Sequence, residues 1–375
     1  MNILVYRTGH LGDTVVSLPA MRAVRAAYPK HELILLTDEQ VNGETVSTWE
    51  ILQATGLFSR VFFYLPPSRS VTSWLRLAKL AREIRKLRPQ VLFYFRDFPL
   101  QHPKRDHFFF RVLCGISRCY GLESANQVVG RRGSTDHLVR FPSEVDRLLE
   151  IVRGAGVPIP SPGQIDFGVP ISGREHSKVD ALWRQASITD HATVIALGPG
   201  SKMPAKRWPL EYFHEIARVI LGEFPDCRLV VFGGSEDRPL GDAIQHRHGE
   251  KVSNLAGELS VLEAAEALRR CDVYIGNDTG VMHLAAGVGT PCVAIFSARD
   301  HPGRWEPYGA SHVVLRKHPS CEGCMLEICI ERDIQCLKDI TVGEVLVAVR
   351  KILWGKTRMA PEGIALFPFG DRSLS

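Results

Sequence analysis

At 375 residues the chain is long enough for two domains of ordinary size. With 45% hydrophobic and 23% charged residues it has a globular composition, and no apolar run reaches the roughly 18–20 residues of a membrane span. The net charge of +5 is uneven: residues 1–175 hold 23 Lys and Arg against 16 Asp and Glu, and residues 176–375 hold 23 against 25, so a negatively charged partner is expected at the N-terminal half.

The first expected strand, 2–7, runs into "RTGHLGDTVVSLPAMRAVRAAYP", where Gly9 and Gly12 precede Asp13 and a helix-period run over 13–28. Arg7 interrupts the apolar start too early for a signal peptide, so a cytoplasmic location is expected. The glycines suggest a phosphate loop, yet the stretch lacks both G-x-G-x-x-G and G-K-[ST]. Asp13 is open to two readings: an ordinary helix N-cap, or a carboxylate placed to deprotonate a hydroxyl.

Strands are then expected at 31–37, 60–64 and 90–95, with a helix at 71–88. Arg69 to Arg111 carries 11 basic and 3 acidic residues, which is either a solvated basic face or the meeting place of an acidic partner. Within it, the basic amphipathic stretch Thr72 to Arg88 is a candidate for resting on an anionic membrane surface. The alternation weakens over "VPIPSPGQIDFGVP", Val157 to Pro170, which reads as the linker.

Beyond it, strands are expected at 192–197, 227–232, 272–276, 291–295 and 312–315, with helices at 209–224, 260–270 and 280–288. Strands alternating with helices imply parallel sheets, hence an α/β protein of two doubly wound halves with a cleft between strand carboxyl ends. The expected domains are 1–170, 171–345, and a helix end and tail at 346–375 packing back on the first domain.

Three strand ends of the second half carry suitable chemistry. "ALGPGSKMPAKRWP" places Gly198, Gly200 and Ser201 before Lys202, Lys206 and Arg207, cations able to neutralise a departing phosphate. "VVFGGSEDRP" offers Gly233 and Gly234 for close approach and Glu236 for ribose hydroxyls. "CDVYIGNDTGVMHLAAGVGTPCVAIF" is the strongest: Asp278 or Thr279 can cap a helix beginning at Gly280, whose free N–H groups and dipole would receive a diphosphate, with His283 one turn in.

Nine cysteines in a cytoplasmic chain read as reduced thiols or metal ligands. Cys321, Cys324, Cys329 and Cys336, spaced C-x2-C-x4-C-x6-C, are candidate ligands for a structural zinc or iron; buried thiols or redox-labile pairs are the other readings.

Taken together, "GHLGD" with "SLPAMRAVRAAYP", "PGSKMPAKRWP", "GGSED", "GNDTGVMHLAAGVGTPCVAIF" and "CEGC" through "CLKDIT" resemble the ADP-heptose lipopolysaccharide heptosyltransferases, glycosyltransferase family 9, in order from about residue 1 to 350. The resemblance implies a GT-B fold, an inverting reaction and no catalytic metal. It implies Asp13 as general base and Lys206 as the residue stabilising donor charge. Gly200, Ser201, Glu236, Leu259 (through main chain, on adenine), Asp278, Thr279, Gly280 and His283 are implied on the donor side.

Gly12, Arg60, Arg96, Lys104 and Arg105 are expected on the acceptor side, facing an anionic lipid-linked sugar, with peripheral contact at the inner face of the inner membrane. The stretch Tyr94 to Leu122 is less typical of the family, and its Phe108 to Phe110 triplet could shape a different acceptor pocket. Family members also modify proteins and small molecules, so another acceptor or nucleotide-sugar donor is the alternative within the family. Outside it, the alternatives are a sugar-nucleotide epimerase and a non-catalytic nucleotide-sugar or nucleic-acid binding module. The transferase reading expects no nucleic-acid partner.

Overall fold

The computed structural model describes residues 1–38, 48–64, 70–96, 103–122 and 137–357. The first half comprises β1 (Asn2–Tyr6), α1 (Leu11–Ala27), β2 (Glu32–Asp38), α2 (Thr48–Thr55), β3 (Arg60–Tyr64), α3 (Val71–Lys86), β4 (Pro89–Tyr94), α4 (Pro103–His107) with a π-helical turn over Phe108–Leu113, β5 (Arg118–Tyr120) and α5 (Glu144–Gly154). Its five strands are parallel in the order β3-β2-β1-β4-β5.

After a largely irregular stretch come α6 (Gly173–Gln185), β6 (Val194–Gly198), α7 (Leu210–Glu223), β7 (Arg228–Val231), α8 (Arg238–His248), β8 (Val252–Asn254), α9 (Val261–Arg269), β9 (Val273–Asn277), α10 (Gly280–Gly287), β10 (Cys292–Phe296), β11 (Val313–Arg316), α11 (Gln335–Lys338) and α12 (Val342–Thr357). The second sheet is parallel throughout, in the order β11-β10-β9-β6-β7-β8. The nine strands expected from sequence all form within two residues of their expected ends. β5 and β8 are three residues each, too short to carry a period.

The strands are β-branched and apolar because helices cover both faces of each sheet. The outer face of the first sheet packs Leu4, Tyr6, Leu36 and Tyr94 against α3 and the π turn. The outer face of the second packs Ile195, Leu229 and Ile275 against α7, α8 and α12. The two inner faces share one core, in which Val15 and Leu18 of α1 join Met282 and Leu284 of α10 and residues of both sheets. The halves therefore meet through a continuous apolar seam.

One expectation needs correction. Residues 346–357 continue α12, whose Val345, Leu346, Val349 and Leu353 are buried on the second sheet, so this stretch does not return to the first domain. Residues 358–375 lie outside the described residues. Among the described residues, no helix is long and apolar enough to cross a membrane.

Candidate active site

The loop after β1 is shaped by its glycines and its arginine. Gly9 sits at φ +128°, and a Cβ there would also meet the Asp13 carboxyl at 2.7 Å, so both backbone and space demand glycine. Asp13 is the third residue of α1; its Oδ2 accepts the His10 N–H at 2.8 Å, closing a capping box. Its Oδ1 accepts from Arg7 Nη2 at 3.1 Å. Asp13 is thus both the helix-terminal acceptor and a carboxylate with one edge in the cleft, its side chain 19% exposed.

Arg7 is wholly buried at the end of β1, and burial pulls its pKa down against the opposing pull of Asp13 and Glu144. Its Nη1 lies 3.7 Å from Glu144 Oε1 and donates to the Phe95 carbonyl. Glu144, at the start of α5, also takes two hydrogen bonds from Arg147, at 2.7 and 2.6 Å, and stands 3.6 Å from Arg304 Nε. Burial, with Arg7 beside it, lowers the Arg304 pKa to about 10; Asp13 opposes that shift. Arg304 lies over the Trp305 ring at 5.2 Å.

On the facing domain, β9 delivers Asn277, Asp278 and Thr279 to the start of α10. The buried Asn277 side chain donates to the carbonyls of Pro199 (2.8 Å) and Gly200 (3.2 Å) and accepts from Trp208 N–H (3.0 Å), pinning the loop after β6 to the end of β9. That loop brings Lys206 Nζ to 2.5 Å from Asp278 Oδ2. Thr279, not Asp278, is the N-cap: its Oγ1 accepts the Met282 N–H at 3.4 Å. The first-turn amides of α10 ahead of Met282 have no intrahelical acceptor.

The seam brings the two halves of the chemistry together. A Cβ on Gly12 would meet His283 Cδ2 at 2.7 Å, one on Gly280 would meet Leu11 Cβ at 2.8 Å, and one on Gly287 would meet Val15 Cγ1 at 2.9 Å. α1 and α10 therefore run side by side in the same direction, with both N-termini at one end of the seam. Two positive dipole ends, from opposite domains, meet there. His283 is buried between them; burial lowers its pKa, while Asp278 and Asp13 raise it and Lys206 lowers it further. Asp13, His283, Asp278 and Lys206 thus form one cluster.

Gly12, Gly280, Thr279 and Asp278 lie at this point. Gly200 and Ser201 line the neighbouring loop, where a Cβ on Gly200 would strike the Asp237 carboxyl at 2.0 Å. Asp237 is the buried acid there, its pKa raised by burial and held back by the Gly234 N–H at 3.1 Å, whereas Glu236 is exposed at the rim. Leu259 is half-buried, one residue before the Ser260 cap of α9.

On the first domain, Arg96 and Arg105 flank the buried Asp106 at 3.5 and 3.1 Å, beyond the carboxyl end of β4, and Lys104 is exposed beside them. Arg60 does not join them. It opens β3, 3.5 Å from Glu32 at the start of β2, so it stands at the amino edge of a parallel sheet whose carboxyl edge holds Asp13.

The four clustered cysteines are free thiols in one lobe: burial raises the Cys336 pKa, and Cys321, Cys329 and Cys324 are near enough to raise it further. Among the described residues, the group of three or more side chains whose ligand atoms lie within 4.8 Å of one another is His137, His318 and Glu322, and no three cysteines meet that distance. A tetrahedral thiolate site, with sulfurs about 2.3 Å from the metal, needs them closer than that. Glu322 is itself engaged by Arg316 at 3.0 Å.

Sequence reasoning overlooks Arg7, Glu144, Arg304 and Trp305 as members of this site. An arginine directly after a buried strand, before a glycine loop, was the readable signal for Arg7. For Arg304 and Trp305 it was a Gly-Arg-Trp placed after a strand's carboxyl end. Glu144 carries no local signal, because its role depends on where α5 docks.

Two facing Rossmann-like parallel sheets, with strand ends and helix N-termini converging on a cleft, define a GT-B protein. Among solved structures, the fold is similar to a glycosyl transferase family 9 protein from Veillonella parvula (TM-score 0.71, 20% identity, covering 94% of this chain and 97% of that one). It is also similar to Escherichia coli ADP-heptose lps heptosyltransferase II (TM-score 0.64, 21% identity, 95% and 100%).

The chain belongs to glycosyltransferase family 9 (heptosyltransferase), whose family model matches residues 120–335. A lipooligosaccharide heptosyltransferase 2 of Haemophilus influenzae is 30% identical over 118 residues, which is 30% of this chain and 34% of that protein. Lipopolysaccharide heptosyltransferase 2 of Escherichia coli is 32% identical over 117 residues, 30% and 33% of the two. The matched stretch thus spans about a third of the length of these curated relatives.

Proposed function

We propose that the protein is an inverting glycosyltransferase that moves a heptose from ADP-heptose to a hydroxyl of the lipopolysaccharide inner core. The observation that carries this is the meeting of Asp13 with Lys206, Asp278 and His283 where the N-termini of α1 and α10 converge. A carboxylate faces a pair of positive helix ends and an ammonium across a cleft, which suits a hydroxyl on one side and a diphosphate on the other.

In this reading Asp13 accepts the acceptor proton as the oxygen attacks C1 in line. The new C1–O bond forms as the bond from C1 to the β-phosphate oxygen breaks, and ADP departs with that electron pair. Lys206, released from Asp278, and the first amides of α10 receive the growing phosphate charge. His283, neutral because it is buried, donates a single N–H and adds no charge. Ser201 and Thr279 offer hydroxyls on the donor side, Gly200 gives close approach, Glu236 holds the ribose from the rim, and Leu259 meets adenine through its main chain.

Gly12 lets the acceptor sugar approach Asp13, and Arg96, Lys104 and Arg105 bind its anionic groups. No step is routed through a metal. The acceptor is lipid-linked, so the protein works at the cytoplasmic face of the membrane as a peripheral visitor.

The test is a donor screen read by mass spectrometry: ADP-heptose, UDP-sugars and GDP-sugars, each over a heptose-deficient lipopolysaccharide extract. A mass gain of one heptose with the ADP donor is expected. Transfer from a uridine donor only would overturn the adenine assignment.

A further inference from the structure

The outer flank of the first domain carries an apolar surface that the reaction does not use. α3 buries Leu77, Ala81 and Ile84 against the sheet and turns the opposite face outward. At its first two turns that outward face is Val71, Trp74 and Leu75, which are 75%, 52% and 63% exposed. Their i, i+3, i+4 spacing makes one continuous stripe. Beside it, the π turn exposes Phe108 (54%) and Val112 (55%), and Arg85 fastens the two elements by donating to the carbonyls of Val112 and Leu113 at 3.0 and 3.3 Å. Isolated exposed apolar side chains need no explanation, but five large ones on two linked elements do.

Charge says what covers them. Arg76, Lys79 and Arg82 follow the stripe along the exposed side of α3, and among the described residues none of the three has an ion-pair partner, whereas Lys86 is held by Glu83 at 2.6 Å. Location adds a second constraint. α3 begins beyond the carboxyl end of β3, and the π turn follows α4 beyond the carboxyl end of β4, so the stripe borders the same edge of the sheet on which Asp13 stands. An apolar stripe that includes a tryptophan and is continued by exposed cations matches the interface of an anionic bilayer: apolar groups at the acyl boundary, cations among headgroups.

We propose that Val71, Trp74, Leu75, Phe108 and Val112, with Arg76, Lys79 and Arg82, form a docking surface for an anionic lipid bilayer, holding the first domain so that a lipid-linked acceptor reaches the Asp13 edge. The inference rests on the reading that the acceptor is lipid-linked.

The experiment is flotation of the full chain with vesicles of phosphatidylcholine mixed with phosphatidylglycerol, and with phosphatidylcholine alone. Wild type floats with the mixed vesicles, not with the neutral ones, and salt releases it. W74E/L75E and R76Q/K79Q/R82Q, both confirmed folded by circular dichroism, lose flotation; each cation removed lowers partitioning about fivefold. Both variants keep wild-type turnover on an acceptor stripped of its acyl chains and lose turnover on vesicle-borne acceptor. The proposal is overturned if wild type stays at the bottom of the gradient, if either variant floats like wild type, or if the surface binds an acidic protein but no vesicle. Failure of the functional reading looks different: flotation is intact and no sugar is transferred to any acceptor.

Discussion

Replacing Asp13 by asparagine changes the charge and almost nothing of the shape. In the native protein Oδ1 faces Arg7 at 3.1 Å and Oδ2 faces the His10 N–H at 2.8 Å, so both oxygens look at donors. An asparagine must turn its NH2 toward one of them. It therefore loses one hydrogen bond that is charge-assisted on the carboxylate side, about 1.5–3 kcal/mol. Arg7 is not stranded, because Glu144 remains at 3.7 Å, so D13N is expected to fold with a modestly lower denaturation midpoint. Turnover is a different matter. A general base is worth about 10²–10⁴-fold, and an amide cannot take the proton. Single-turnover assays with ADP-heptose should show at least that loss. ADP affinity, measured by calorimetry, should stay within about threefold, since the proposed phosphate contacts lie on the opposite domain. Turnover near wild type would refute Asp13 as the base. A parallel collapse of ADP binding would refute the division of the cleft into an acceptor wall and a donor wall.

Gly12→Ala places a methyl 2.7 Å from His283 Cδ2, so α1 and α10 must part by a few tenths of an ångström; denaturant titration should show a loss of about 1–3 kcal/mol, and turnover should fall with it. Lys206→Met removes the cation 2.5 Å from Asp278 and leaves that half-buried carboxylate facing the diphosphate; ADP affinity should fall about tenfold or more, read by calorimetry. Burial lowers the pKa of His214, His248, His283 and His312, so the unfolded chain binds protons that the folded chain refuses. Their contribution is fully present above the unfolded value of about 6.5 and lost as pH falls through the lower folded values. The denaturant midpoint should drop between about pH 7.5 and 5.5, and should drop less in His312→Gln.

The strand–helix alternation was legible because strands buried on both faces become apolar runs, and because glycine turns mark their carboxyl ends. The start of α10 was legible for a related reason: capping demands a Thr or Asp, and close helix contact demands Gly280, so the cap and the helix seam mark the same short stretch. What was not legible depends on docking. Asp278 looks like a cap by its position, yet once Thr279 takes that role it is free to hold Lys206, 72 residues away. Glu236 and Asp237 are adjacent acids, and only the packing of Gly200 and Gly233 against Asp237 decides which one is inside. Arg60 is basic and lies in the same half of the chain as the other residues expected on the acceptor side, but parallel strand direction carries it to the far edge. Four cysteines suit a metal by spacing, and the fold brings Cys321, Cys324 and Cys329 near Cys336 without setting any three sulfurs within 4.8 Å of one another among the described residues.

The charges of the cleft explain why an aspartate can sit at a glycine turn facing a diphosphate enzyme's donor loop. Asp13, Glu144 and Asp278 stand against Arg7, Arg147, Arg304 and Lys206, three acids and four bases joined by pairs of 2.5–3.7 Å. With nearly all of these side-chain charges paired, the attraction for a diphosphate in the proposed reaction comes from the N-termini of α1 and α10 and from whatever Lys206 gains by leaving Asp278. Asp13 in the first turn of α1 spends that helix's dipole on itself, through the His10 N–H, and so leaves α10 as the free positive end. In the proposed reaction, the asymmetry of two otherwise similar helix starts, one capped by a threonine and one occupied by an aspartate, is what separates the phosphate side of the cleft from the hydroxyl side.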